Sequence, residues 1–488
     1  MPVIASNLSS LYGLMYLKRG ESMLERASQR LSSGRKINSA ADDAAGLAIS
    51  TRMTSQIRSL NMAIKNSNDG ISMVSTTESA LVEISNMLQR MRELAVQSSN
   101  DTNSGKDRSY LQNEINQLKT EITSISHTTQ FNGTNVLDGT LSGKVIQTGM
   151  NSGQTVSFSV NNVASSALGS FIYAGSTRAT LTAASAPASN NTTGAEDVII
   201  HGNSISKTID VGANNSSKTV AAAINAVSGD TGVSAKAKSY AKLLSTASST
   251  TYSLKINGIS TGNMSIGSSS VSDAVSKINQ IKGTTGVTAT ASSDGTYITL
   301  FHSSGEDIRV ENESAGTNLD VYAVGYDGTT VSGTKQDLAA SGGNDAVKVI
   351  GTLKLNSSKN FSVSQSGNAA TGYFATGSAS LSSISNLYIN TVSGASATME
   401  IIDGALEKVL SMRSQLGALQ NRLERTVNRL TSTVTTTEEA RSRIIDADYA
   451  LETTRLTKAK IMQQASTAML AQANQSKQNI LTLLNIFL

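Results

Sequence analysis

The chain has 488 residues, and at roughly 100–200 residues per domain that length points to several domains rather than one core. Its 40 Lys and Arg against 36 Asp and Glu leave a formal charge of +4, too small and too scattered for a nucleic-acid binder working through bulk charge. With no Cys and no Trp, disulfide scaffolds, thiolate metal sites and cysteine nucleophiles are excluded, and any core is largely aliphatic.

The first residues lack a basic stretch followed by an apolar run and a small-residue cleavage site, so no secretory signal peptide is expected. No run approaches about 18 consecutive apolar residues, so no membrane span is expected either. Residues 5–33 carry a thin apolar stripe (Leu24, Ala27, Leu31) diluted by Ser and Gln. Gly34 can stop this first helix, and Asn38 or Ser39 can cap the next, with Asp42 and Asp43 near its positive dipole end.

The strongest pattern follows. Val74, Thr77, Leu81, Ile84, Leu88, Met91 and Ala95 succeed one another at spacings of 3 and 4, the a/d seam of a long helix. A second seam, Leu111, Ile115, Leu118, Ile122 and Ile125, ends before a turn signal at Asn132-Gly133. Between about 165 and 395 the only arginines are Arg178 and Arg309, and Gly, Ser, Thr, Ala and Val dominate in short alternating runs. That composition reads as strands with turns. Within it, Ile224–Ala237 aligns without gaps on Ile278–Ala291, eight of fourteen positions being identical, and each copy reads as strand–helix–strand. A third seam runs Ile402, Val409, Leu416, Leu419, Leu423, Leu430 and Val434. A bundle that buries all three seams brings the two ends of the chain side by side and makes the middle an insertion. The fold class expected is therefore α+β multidomain, a long helical bundle or coiled coil of both chain ends with inserted β-rich modules.

Residues 450–488 repeat the thin stripe of the N-terminal segment (Ile461, Ala465, Ala468) and end in a short apolar tail, Ile480–Leu488. Segments burying so little are expected to stay disordered until a partner supplies the other face.

No catalytic constellation emerges. The three histidines, His127, His201 and His302, have no second His at metal-ligand spacing. Gly258-Ile-Ser260-Thr-Gly262 matches a nucleophile elbow on paper but leads into strand and turn instead of helix, so a hairpin is expected. Gly105-Lys106 and Gly143-Lys144 lack the upstream glycine of a phosphate-binding loop, and Asp446 and Asp448 read as ion-pair partners. No enzyme activity, cofactor or metal is expected.

Five stretches then carry a resemblance: Leu31–Gly46 (LSSGRKINSAADDAAG), Leu88–Gln97 (LQRMRELAVQ), Thr129–Gly133 (TQFNG), Ala440–Ala450 (ARSRIIDADYA) and Leu470–Gln475 (LAQANQ). In this order they resemble the terminal regions of bacterial flagellins, over about 1–170 and 395–488. The duplicated Ile-Asn unit resembles a module often inserted in flagellins and hook-associated proteins.

The resemblance implies a secreted structural subunit of the extracellular flagellar filament, exported unfolded through the flagellar type III channel and serving motility. It implies a terminal coiled coil (1–42 with 452–488) lining the filament tube. A shell of helices plus a hairpin near Lys144–Val160 (43–170 with 396–451) would surround it, and outer modules (171–395; repeat units about 195–245 and 250–312) would project from it. Leu81, Ile84, Leu88, Met91, Leu416, Leu423 and Leu430 are then the assembly seam. Implied partners are further copies of the chain, an export chaperone on roughly 450–488, filament cap and junction proteins, and the host Toll-like receptor 5, read through Arg90, Leu94 and Glu114. The alternatives are a hook–filament junction protein, a peptidase-bearing relative (no His-Glu-x-x-His motif is present), and a glycan-binding role for the middle modules.

Overall fold

Helix punctuation and hydrophobic period set the architecture of the computed structural model, which describes residues 7–176, 178–182, 196–245, 249–314, 318–340, 343–366 and 372–485. The α+β class holds: long helices at both chain ends, with a β-rich region inserted between them. The chain divides into two units, one of residues 1–74, 143–158 and 417–488, the other of residues 75–142 and 159–416.

In the first unit, helix Leu8–Ser33 ends at Gly34, whose left-handed φ of 69° suits a residue without Cβ. The next helix, Ala44–Ser98, is not capped by Asn38 or Ser39 as the sequence suggested. Asp43 does that, accepting from Gly46 N at 2.9 Å. Asp42 instead closes the preceding turn, accepting from Asn38 N and Ser39 N, and these bonds hold its carboxyl below the usual carboxylate range. Helix Leu8–Ser33 runs antiparallel to helix Tyr449–Asn485: Asn7 Nδ2 donates to Ala473 O at 3.3 Å at one end, and Arg30 reaches Glu452 at 3.4 Å at the other. The turns joining each to its long neighbour are tied by Ala447 N donating to Gly34 O. Strands Lys144–Gln147 and Thr155–Phe158 form the hairpin, which lies against helix Ala44–Ser98 so closely that a Cβ at Gly70 would meet Ile146 Cδ1 at 2.5 Å. The side chains of the apolar tail Ile480–Leu488 lie outside the described residues.

In the second unit, the seam of helix Ala44–Ser98 is buried from Val74 onward, with Thr77, Leu81, Ile84, Leu88, Met91 and Ala95 at zero to 1% exposure. Each fully buried Leu or Ile contributes about 1.5–3 kcal/mol. Helix Gly105–Thr128 opens with a reciprocal box between Ser104 and Asp107. It buries Ile115 and Ile122 together with Gln112 and Ser126, so its inner face is rotated toward polar positions that apolar spacing alone does not mark. Gln112 explains the offset: its amide accepts from Ile389 N at 2.7 Å and donates to Leu387 O at 3.2 Å, fixing the segment that leads into helix Val392–Ile445. Glu78–Arg413 and Arg92–Asp403 pairs, at 2.8 and 2.7 Å, join that helix to the Ala44–Ser98 helix. Asn132 and Gly133, at φ 49° and 75°, make the expected two-residue turn.

The repeat is hairpin–helix–strand, one strand more than expected from sequence. Hairpin Val198–Gly202/Ile205–Ile209 precedes helix Ser217–Ala226 and strand Ser234–Leu244; hairpin Thr250–Ile256/Ile259–Ile266 precedes helix Ser272–Gln280 and strand Val287–Ala291. The copies interlock, because residues 239–244 of strand Ser234–Leu244 pair with strand Tyr297–His302 and its residues 234–238 pair with strand Thr352–Ser357. Each copy has its own core, one around Ile200, Ile224 and Leu353, the other around Leu254, Ile278 and Leu300.

Candidate assembly and receptor surfaces

Three positions along the paired end helices are small or short, which lets the helices approach closely. Gly20, Ala27 and Ala459 are buried between them, and a Cβ at Gly13 would stand 3.0 Å from Leu470 Cγ. The pairing leaves the outer faces uncovered: Leu11, Tyr12, Ile461 and Met469 are 60%, 57%, 60% and 67% exposed. Leu8, Met15, Tyr16 and Leu451 are also exposed. Soluble monomers rarely expose contiguous apolar surface on that scale, and such patches mark protein interaction sites. The thin stripes seen in sequence are therefore only part of the apolar surface. Leu11, Tyr12 and Met15 lie outside the stripe and were missed, since they repeat on a second face of the same helix.

The seam residues lie inside the subunit. Leu81, Ile84, Leu88 and Met91 are fully buried, and Leu416, Leu423 and Leu430 are 4%, 0% and 6% exposed. Leu430 packs with Leu60 and Ala63 in the first unit. What these residues hold together directly is one chain's own helices.

Arg90 and Glu114 come together across two helices. Arg90 Nε donates to Glu114 Oε1 at 2.8 Å, and its NH1 donates to Glu93 Oε2 at 3.0 Å. The bonds to Glu114 and then Glu93 raise the guanidinium pKa further, so its charge is permanent. All three side chains are substantially exposed. Leu94 is not at the bundle edge: it is 1% exposed, one position before Ala95 on the buried face. The exposed apolar neighbour is Val96, which lines a shallow depression with Gln89, Arg92, Glu93 and Gln97.

The other candidate sites resolve into ordinary structure. Asn257 and Gly258, at φ 48° and 83°, form a hairpin turn, and Ser260 lies on the following strand, where its Oγ accepts from Gly262 N. His201 bonds Ser206 and Ser364, and His302 bonds Ser304. Asp446 pairs with Arg35 through the backbone and its carboxylate accepts from Ser442 Oγ, while Asp448 caps the last helix through Ala450 N and Leu451 N, so among the described residues neither makes the expected ion pair. Among the described residues no group of three or more metal-ligating side chains comes together, and no helix is long and apolar enough to cross a membrane.

Two helical chain ends that fold together around an insertion, with exposed apolar faces on the outermost helices, define a structural subunit built for self-association. The family comparisons agree with that class. Residues 4–142 match the bacterial flagellin N-terminal helical region, and residues 399–484 match the bacterial flagellin C-terminal helical region. The chain is 34% identical to the B-type flagellin of Pseudomonas aeruginosa over 497 residues, with 99% of each chain covered. It is 35% identical to the flagellin of Salmonella typhimurium over 517 residues, again with 99% of each covered. A solved structure of FliC from Burkholderia pseudomallei matches at 20% identity, covering 72% of this chain and 99% of that one, with a TM-score of 0.30.

The chain belongs to the bacterial flagellin family. It is a structural subunit of the extracellular flagellar filament and not an enzyme, and full-length flagellin relatives favour the filament reading over a hook–filament junction protein.

Proposed function

We propose that the subunit leaves the cell unfolded through the flagellar export channel and assembles by coupled folding of its terminal helices. The observation that carries this is the apolar surface left uncovered on helices Leu8–Ser33 and Tyr449–Asn485. Alone, each helix buries little beyond Gly20, Ala27 and Ala459 against its partner, too little to offset the entropy of ordering. Neighbouring subunits supply the missing burial, so ordering and polymerisation happen together. Contacts that repeat head to tail without closing give a helical tube rather than a ring.

In that filament, residues 1–42 and 452–488 line the tube, 43–170 and 396–451 form the shell, and 171–395 project outward. The buried seam from Leu81 to Met91, with Leu416, Leu423 and Leu430, makes the shell stiff enough to present the assembly faces. Before export a chaperone covers roughly 450–488, where the exposed Ile461 and Met469 lie. At the filament ends the same faces meet cap and junction proteins.

Host Toll-like receptor 5 reads the exposed Arg90–Glu114 pair. Leu94 supports it from beneath and is contacted only if the helix surface opens.

The test is negative-stain electron microscopy of purified subunit seeded with sheared filament fragments under salting-out conditions. Long filaments growing from the seeds are expected. Subunit that caps seeds without elongating them would overturn the filament proposal in favour of a junction role.

A further inference from the structure

The second unit contains a cavity of about 870 Å³ that none of the assembly or receptor arguments uses. Its size lies within the roughly 300–1,000 Å³ of sites that take small organic ligands. Strands Ser234–Leu244 and Tyr297–His302 place Tyr240 and Phe301 opposite one another on its wall, where their rings stack with centroids 4.6 Å apart and planes inclined by 22°. A third ring, Tyr326, has two ammonium groups near it: Lys238 Nζ at 4.9 Å and Lys354 Nζ at 5.2 Å from its centroid.

The two lysines differ in what neutralises them. Lys354 donates to Glu400 Oε2 at 2.7 Å, and Glu400 also takes Lys236 at 3.2 Å. The cavity's other carboxylate, Asp327, is engaged by the hydroxyls and amides of Thr329 and Thr330. The Lys238 ammonium makes no hydrogen bond or ion pair with the described residues. Burial pulls its pKa down, Glu400 draws it back up, and the Lys354 and Lys236 charges add to the fall. A ligand that meets the Lys238 ammonium recovers what leaving it unpaired costs.

The uncompensated charge is a single positive one, which suits a monoanionic carboxylate better than a doubly charged phosphate. The stacked aromatic pair gives apolar surface for the C–H groups of a pyranose ring, and Thr290, Thr299, Ser393 and Ser396, which line the same cavity, suit its hydroxyls. We propose that this cavity binds an acidic saccharide, with its carboxylate on Lys238 and its ring against Phe301 and Tyr240.

Saturation-transfer-difference NMR on the full-length subunit, titrated with 3′-sialyllactose and with lactose, tests this. The acidic sugar is expected to bind at least about tenfold more tightly than lactose. Lys238→Met should abolish that preference, and Lys238→Arg should keep it. Should Lys238→Met not fold, Phe301→Leu serves as the second variant and is expected to weaken sialyllactose about tenfold. Equal binding of the two sugars, no saturation transfer up to about 10 mM, a preference surviving in Lys238→Met, or benzoate outcompeting the saccharide would each overturn the proposal.

Discussion

Asn279 brackets Ala289 with both ends of its amide: Oδ1 accepts from Ala289 N at 2.9 Å, and Nδ2 donates to Ala289 O at 2.8 Å. The first repeat copy makes the same clamp between Asn225 and Ala235, at 2.8 and 2.9 Å. The Ile-Asn identity in the repeat thus has a cause. The Ile fills the module core while the Asn pins the returning strand to the helix end. Asn279→Ala strips partners from a strand residue that is 3% exposed, at an expected cost of about 1–3 kcal/mol. Calorimetry of the full-length chain should show the transition of the inserted modules moving down while the others stay. An unshifted transition would mean that the clamp carries no net energy.

Glu400, on helix Val392–Ile445, is bonded by Lys354 and Lys236 from two strands and by Tyr326. Burial pushes its pKa up, but the lysines outweigh burial and hold it below the ordinary glutamate value of 4.5. A carboxyl whose folded pKa is lowered contributes stability that is fully present above its unfolded pKa. The contribution disappears as pH falls through the lower folded value. Glu400→Gln should therefore lower the melting temperature at pH 7 and converge with wild type below pH 4.5. The cost at neutral pH lies toward the low end of the roughly 3–5 kcal/mol for breaking a buried pair, since Lys236 remains half exposed. A gap independent of pH would assign the loss to packing instead.

The exposed Arg90–Glu114 pair contributes little to folding, so its removal separates recognition from stability. The double variant Arg90→Ala, Glu114→Ala should melt close to wild type yet signal through Toll-like receptor 5 at least about tenfold less in a reporter-cell titration. Wild-type signalling by that variant would remove the pair from the receptor site. Leu94→Ala is expected to behave differently: as a buried residue it should cost about 2–5 kcal/mol and affect stability first.

The long helices and their buried seams were legible because spacings of 3 and 4 from Val74 to Ala95 leave no competing period. The turn at Asn132-Gly133 was legible for the same local reason. What failed was whatever depends on a distant partner. The resemblance reads Leu94 as a receptor contact, yet it is buried although it stands off the a/d positions, because a bundle buries a wider stripe than a two-helix seam does. Gln112 and Lys119 stand off the second apolar seam, yet they bond Leu387, Ile389 and Ser385 across more than 260 residues of sequence. Asp43 lost the cap to Asn38 and Ser39 in sequence because all are good caps, and only the path after Gly34 decides between them. The strands after 313 were unreadable because each is short and its partner lies far back in the chain, as Thr352–Ser357 pairs with residues 234–238. The cavity residues come from both groups of strands and from helix Val392–Ile445, so no motif could announce them.

Leu11 and Ile461 provide the sharpest test of assembly, because each is 60% exposed and neither packs in the subunit interior. Introducing a carboxylate at either position costs the isolated subunit little, since surface substitutions usually fall within about 0.5 kcal/mol. Burying the same carboxylate against a neighbouring subunit is another matter, because an unpaired charge removed from water costs several kcal/mol. Leu11→Asp and Ile461→Asp should therefore leave the melting of the inserted modules unchanged while raising the critical concentration for seeded growth by at least about a hundredfold, equivalent to roughly 2.7 kcal/mol. Sedimentation of elongation reactions at graded subunit concentration measures that threshold. If both variants elongate seeds at the wild-type threshold, these faces are not where subunits meet, and the exposed apolar surface of the terminal helices must serve another partner.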